Sequence, residues 1–106
     1  MVEYTINVDA VFSSLADATR RDILSRVSNR SWSVGELAEE HPGLTFAAVA
    51  KHIKVLEEAE LVIKERDGRY QIIRVNPKTI KQAHKILQQY QIIWEARLNQ
   101  LDSLLH

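Results

Sequence analysis

Residues able to do chemistry gather in one stretch, LTFAAVAKHIKVLEEAELV, residues 44–62. Val49, Ile53 and Leu56 recur there in steps of four and three, which on a helix makes one buried stripe. The opposite side carries Ala47, Ala50, Lys51 and Lys54. Two of these are too small to block close approach, and two are cations. Thr45 precedes them as a capping residue, and the free amides of a helix start can hold phosphate. A helix with a buried back and a slim, cationic front suits insertion into the major groove of DNA. Arg66 and Arg69 flank Asp67-Gly68 further along, and cations at a hairpin tip meet phosphates or the minor groove. Catalysis has no comparable signal. No paired carboxylates, nucleophile–base pair or phosphate loop stands in the context such chemistry needs, so an enzyme is not expected.

The elements that must position these groups are legible on both sides. Upstream, Ser33 and Glu36 form a capping box, so a helix should start at Val34 and bury Leu37 and Ala38. His41-Pro42-Gly43 should end it, because proline cannot continue a helix and glycine permits a tight reversal. A short helix, a turn and a second helix is the helix-turn-helix spacing, here about residues 33–60. Downstream, Val62 to Arg66 and Arg69 to Val75 are rich in β-branched and aromatic residues. Asp67-Gly68 between them signals a type I′ hairpin. A helix-turn-helix followed by a hairpin at about 62–75 is a winged helix. The expected class is mainly α with a small β-hairpin (α+β).

The length of 106 residues suits one domain with a modest core. Its 45% apolar and 26% charged residues fit a soluble globular protein. There is no cysteine, which excludes disulfides and thiolate metal sites and fits a reducing cytoplasm. No apolar run can span a membrane, and Met1-Val2-Glu3 does not begin a signal peptide. Fourteen basic and 14 acidic residues balance, which argues against non-specific coating of nucleic acid but leaves room for a locally basic face.

Residues 1–8 read as an extended lead-in. Asn7 or Asp9 could cap a first helix, about 9–16, through Val11, Phe12 and Leu15. Asp17 can cap a second that buries Ile23, Leu24 and Val27. Arg20 and Arg21 stand in its first turn, where the helix dipole disfavours cations. They either invite an anionic partner or, as the commoner case, one pairs with Asp22 or another internal carboxylate. Trp32 is expected in a short extended segment beside the hairpin, packing over the core edge.

Asn76-Pro77 opens the last helix, about 77–105. Ile80, Ala83, Leu87, Tyr90, Trp94, Leu98, Leu101 and Leu105 follow in steps of three and four. At about 42 Å, this helix outruns a body of this size. Its stripe must be buried elsewhere, most simply against a second copy. A different protein's helix is the other occupant the sequence allows.

These motifs resemble the ArsR/SmtB family of winged-helix repressors. LADATRRDIL is similar to the family's LADPTRRRIL, SVGELAEE to the first helix of its helix-turn-helix, and TFAAVAKHIKVLEEAELV to its SxxAVSRHLKVLREAGLV. The wing and the long last helix also match, so the resemblance covers essentially the whole chain. It implies a homodimer formed by the first helix, with Phe12, and the last, with two recognition helices on a palindromic operator. It also implies that His52 lies close to DNA, where position alone suggests a half-buried histidine bonded to backbone; both readings stay open.

The chain departs from the family in several places. Ser33-Val34-Gly35 replaces a Cys-Val-Cys metal motif. The last helix offers His84 and the Asp102/His106 pair, but no matching second pair, and zinc needs about four ligands. His84 lies beside the apolar stripe and reads as a dimer-interface residue. No metal or cofactor is expected, and no small-molecule effector can be assigned. Glu60 stands where the family has Gly, which puts the end of the recognition helix and the wing's angle in doubt. Phe46 and Ala50 stand where Gln and Ser are usual, which suggests fewer base hydrogen bonds and an apolar contact from Phe46 to a thymine methyl.

The reading is a cytoplasmic homodimeric repressor that acts by occluding its operator and can regulate its own gene. A ligand- or metal-responsive sensor repressor with a site at Tyr90, Trp94 and His84 is one alternative. A winged-helix protein-interaction module is the other.

Overall fold

The computed structural model describes residues 4–105. In chain order these form α1 (Val8–Ser14), α2 (Ala18–Asn29), β1 (Trp32–Ser33), α3 (Val34–Glu39), α4 (Phe46–Glu58), β2 (Val62–Asp67), β3 (Tyr70–Val75) and α5 (Pro77–Leu105). Residues 1–3 of the expected lead-in, and His106, lie outside the described residues.

Local chemistry sets the helix starts. Asn7, Asp17, Ser33 and Thr45 each accept a backbone amide of the first turn. At α3 the box is reciprocal. Ser33 Oγ accepts from Glu36 N at 3.0 Å, and Glu36 Oε1 accepts from Ser33 N at 2.9 Å. The lead-in docks on α5: Gln82 Oε1 accepts the amides of Thr5 and Ile6, and Gln82 Nε2 donates to Thr5 Oγ1.

Apolar faces of these helices meet in one core. Val11, Ile23, Leu37, Val49, Leu56, Leu61 and Ile73 are completely buried there. The antiparallel sheet, ordered β1-β3-β2, closes one side of it. β1 is the short extended segment expected at Trp32, paired with Ile73. Trp32 packs against the core, its indole donates to the Arg26 carbonyl at 3.0 Å, and the Arg30 guanidinium stacks 3.6 Å from the ring centroid.

Three local expectations change. The hairpin loop is Gly68-Arg69, because Asp67 pairs with Tyr70. Only Gly68 has a positive φ, 62°, which is the pattern of a type II′ turn and excludes I′. A loop at Asp67-Gly68 would have set Arg66 opposite Arg69. The observed register puts Arg66 opposite Gln71 and removes that like-charge pair.

Second, Glu60 takes the left-handed conformation its position demands, with φ 61°. Leu61 N donates to Leu56 O at 3.0 Å and Glu60 N to Glu57 O at 2.9 Å, which completes a Schellman ending. Asn76 reinforces it by donating its side-chain amide to Glu60 O at 2.9 Å rather than capping α5.

Third, neither Arg20 nor Arg21 pairs with Asp22, which is bound by Arg26 at 2.8 Å and lies 2.9 Å from His41 Nε2. Arg20 Nε donates to Ser14 O at 2.6 Å and Arg21 donates to Leu15 O at 2.9 Å. The two arginines therefore cap the carbonyl end of α1, where the helix dipole favours cations.

The body-facing side of α5 is Thr79 and Ile86, with Ile80 and Ala83 partly packed. From Leu87 onward the helix projects away, and the longest dimension reaches 62 Å.

Candidate nucleic-acid interface

α4 is held by three layers of contact. Val49, Ile53 and Leu56 sink into the core, Thr45 Oγ1 accepts from Ala48 N at 3.1 Å at its start, and the Schellman turn closes its end. Its front is left bare. Ala47, Lys51 and Lys54 are exposed and Ala50 is half-buried. Neither lysine is engaged in an ion pair among the described residues, whereas Arg26, Arg30, Lys64 and Arg74 each have a carboxylate partner. Phe46, at the first helical position, is a large apolar ring that is 60% exposed.

The wing divides its cations into two pairs. Arg74 grips Glu65 at 2.8 Å, and Lys64 reaches Glu57 on α4 at 3.7 Å, which ties the wing to the recognition helix. Arg66 and Arg69 have no carboxylate partner among the described residues. Arg66 donates to Gly68 O at 3.2 Å, and Arg69 donates to Tyr70 Oη at 2.9 Å with its guanidinium near that ring. The four basic residues of the hairpin thus leave two at its tip with charge to offer.

His52 is half-buried, as its position suggests, but it is not bonded to backbone among the described residues. Its ring meets side chains: Nδ1 lies 3.3 Å from Arg20 Nη1 and 3.8 Å from Asp17 Oδ1. Asp17 is in turn bound by the amide of Arg20, which holds its carboxyl below the usual range. The sequence pointed to each of these residues separately and to no connection between them.

The residues expected to pair two copies fall in two settings. Phe12 is half-buried beside the core. Leu87, Tyr90, Trp94, Leu98 and Leu101 on α5 are each more than half exposed. Ile92, Ile93, Leu104 and Leu105 are also exposed, so the apolar surface is broader than the single stripe. Ile93, Trp94 and Arg97 line a shallow apolar hollow of about 300 Å³ on this helix. His84 lies on the same helix, exposed, ahead of the hollow. Among the described residues no three His, Cys, Asp or Glu side chains come together as a metal set, and none of the helices is long and apolar enough to cross a membrane.

Known proteins are similar to this chain in sequence and fold. A family model described as a helix-turn-helix domain matches residues 15–65. The helix-turn-helix type transcriptional regulator YuzN of Bacillus subtilis is 36% identical, over 71% of this chain and 88% of its own length. The crystal structure of an ArsR family transcriptional regulator superposes with a TM-score of 0.77 at 29% identity, over 90% of this chain and 97% of that one. A homodimeric winged helix-turn-helix DNA-binding domain from Mycobacterium bovis shares the fold at 21% identity, with a TM-score of 0.61 over 86% of this chain and 81% of that one.

Proposed function

Because the chain belongs to the ArsR family of helix-turn-helix transcriptional regulators, we propose that it represses transcription as a homodimer seated on a palindromic operator. The observation that carries this reading is the bare, cationic front of α4. Lys51 and Lys54 are exposed and, among the described residues, unpaired beside small alanines, on a helix whose back is anchored in the core. The whole chain then acts as one winged helix-turn-helix unit without catalytic chemistry, in the cytoplasm where its DNA lies.

Each α4 enters a major groove, with the two helices roughly 34–36 Å apart on successive turns. Thr45 and the first amides of α4 meet phosphate. Lys51 and Lys54 face the groove or its walls, Ala47 and Ala50 allow close approach, and His52 stands at the flank. Phe46 meets a thymine methyl. Arg66 and Arg69 of each wing clamp the flanking backbone. The two copies join through α1, with Phe12, and through Leu87, Tyr90, Trp94, Leu98 and Leu101 of α5. Repression follows because a dimer of this span excludes polymerase from the DNA beneath it.

Fluorescence anisotropy with a labelled fragment from upstream of its own gene, titrated against scrambled duplex, tests the reading. The expected result is competitor-resistant binding of one dimer that weakens as salt rises. Lys51→Ala should weaken binding at every sequence and flatten the log–log salt slope by about one. A loss confined to one operator sequence would make Lys51 a base reader instead. Failure to discriminate any genomic fragment from scrambled duplex, with DNA-independent capture of a protein, would replace the reading with an interaction module.

A further inference from the structure

We infer that Arg20 is a positioning residue for DNA recognition, which sets α4 against α1 through a bond to His52. The inference rests on the DNA-binding reading of α4. Arg20 stands at the meeting point of three helices. Its backbone belongs to the first turn of α2, where its amide is taken by the Asp17 cap at 3.0 Å. Its Nε donates to Ser14 O, the carbonyl end of α1, at 2.6 Å. Its Nη1 lies 3.3 Å from His52 Nδ1 on α4. The guanidinium can only donate, so Nδ1 presents its lone pair and the ring proton sits on Nε2. One rigid fork thus bridges two acceptors on different helices, which a lysine ammonium on its flexible stem does not reproduce.

The α1 end of this bridge is firmly placed. Ser14 is buried, and its Oγ donates to Val11 O at 2.7 Å. α1 belongs to the proposed dimer seam, so Arg20 joins that seam to the helix that reads DNA. A dimer reads two half-sites at once, and both recognition helices must hold the same spacing. A small displacement of α4 against α1 is therefore repeated by symmetry at the second half-site.

The surroundings argue against the other role open to Arg20, a direct phosphate contact. Arg20, Ala48, Lys51, His52 and Val55 line a groove of about 230 Å³ between α2 and α4. Two cations face it, but the Asp17 carboxylate stands 3.8 Å from the His52 ring at its edge and repels an anion. Two of the five donors of Arg20, Nε and one on Nη1, are also already directed at protein acceptors.

The test uses duplex selected by the wild-type protein from a random-sequence pool, with anisotropy titrations at three salt concentrations. Arg20→Met and His52→Leu should each weaken binding about tenfold, and the double variant no more than the worse single one, because one bond is lost in all three. Arg20→Lys should behave like Arg20→Met. His52→Gln, which keeps an acceptor, should stay within about threefold of wild type. The salt slope should not change in any of them. A slope flattened by about one in Arg20→Met, or full rescue by Arg20→Lys, would establish a phosphate contact and overturn the inference. Additive losses, or none, would also overturn it. Should Arg20→Met fail to fold, the His52→Leu and His52→Gln pair still decides. A wild-type protein that selects no duplex overturns the DNA reading itself, and this inference with it.

Discussion

Glu60 shows how one residue can hold a backbone conformation that its own side chain disfavours. A glycine at this position has no Cβ to crowd the following carbonyl, whereas Glu60 holds φ 61° with one. The helix still ends in a complete Schellman turn, because Leu56 and Leu61 are both buried across it and Asn76 binds the Glu60 carbonyl. Packing therefore overrides a local preference of about 1 kcal/mol. Glu60→Gly should raise stability by about 0.5–1 kcal/mol, with the greater freedom of glycine in the unfolded chain offsetting part of the gain. Urea unfolding would register this as a higher midpoint at unchanged slope. A lower midpoint would mean that the Glu60 side chain makes a contribution larger than the strain. Arg20 and Arg21 carry a different lesson. Their unusual place in a helix's first turn was visible in the sequence. Their acceptors were not, since these are carbonyls six residues back that approach only after α1 and α2 fold together.

At the scale of elements, whatever rests on neighbours in sequence was legible. Four capping residues, the α3 box, the stop at His41-Pro42-Gly43 and the helix–turn–helix–hairpin order all rest on contacts within a few residues. The caps also make an acid prediction. Glu36 is held below its ordinary value of 4.5, chiefly by the Ser33 amide, and Asp17 below 3.8, chiefly by the Arg20 amide. As pH falls the unfolded chain takes up these protons first, so the stabilisation present above those ordinary values is lost through the lowered folded ones. Glu36→Gln with Asp17→Asn keeps both caps and removes both titrations. Denaturant midpoints from about pH 6 to about pH 3 should then fall less steeply than in the wild type. An unchanged slope would place the acid sensitivity in other carboxylates. The hairpin loop was less legible, because Asp67-Gly68 and Gly68-Arg69 both offer a glycine. Pairing of β3 with both neighbours, and relief of an Arg66/Arg69 opposition, chose between them.

For the whole molecule, α5 decides the architecture. Its 29 residues run for about 43 Å, and past Ile86 its large apolar residues are each more than half exposed. Contiguous apolar surface of this kind marks an interaction face. Sedimentation at micromolar concentration should give twice the monomer mass, and Trp94→Asp with Leu98→Glu should give the monomer. The same variant should lose operator affinity while its helical content stays close to wild type. A wild-type monomer that still binds operator tightly would refute the two-copy arrangement.

The sequence by itself determined the winged-helix order, the caps, the buried back of α4 and its cationic front. Each of these depends on periodicity or on partners within a turn of helix. Only the tertiary structure decided which cations stay unpaired, how Glu60 is accommodated, and that Thr79 and Ile86 carry α5 onto the body. It alone joined Ser14, Arg20 and His52, which stand as many as 32 residues from one bond partner to the next. Hydrogen-bond partners at such separations are set by how the helices pack, and no local pattern in the chain encodes them.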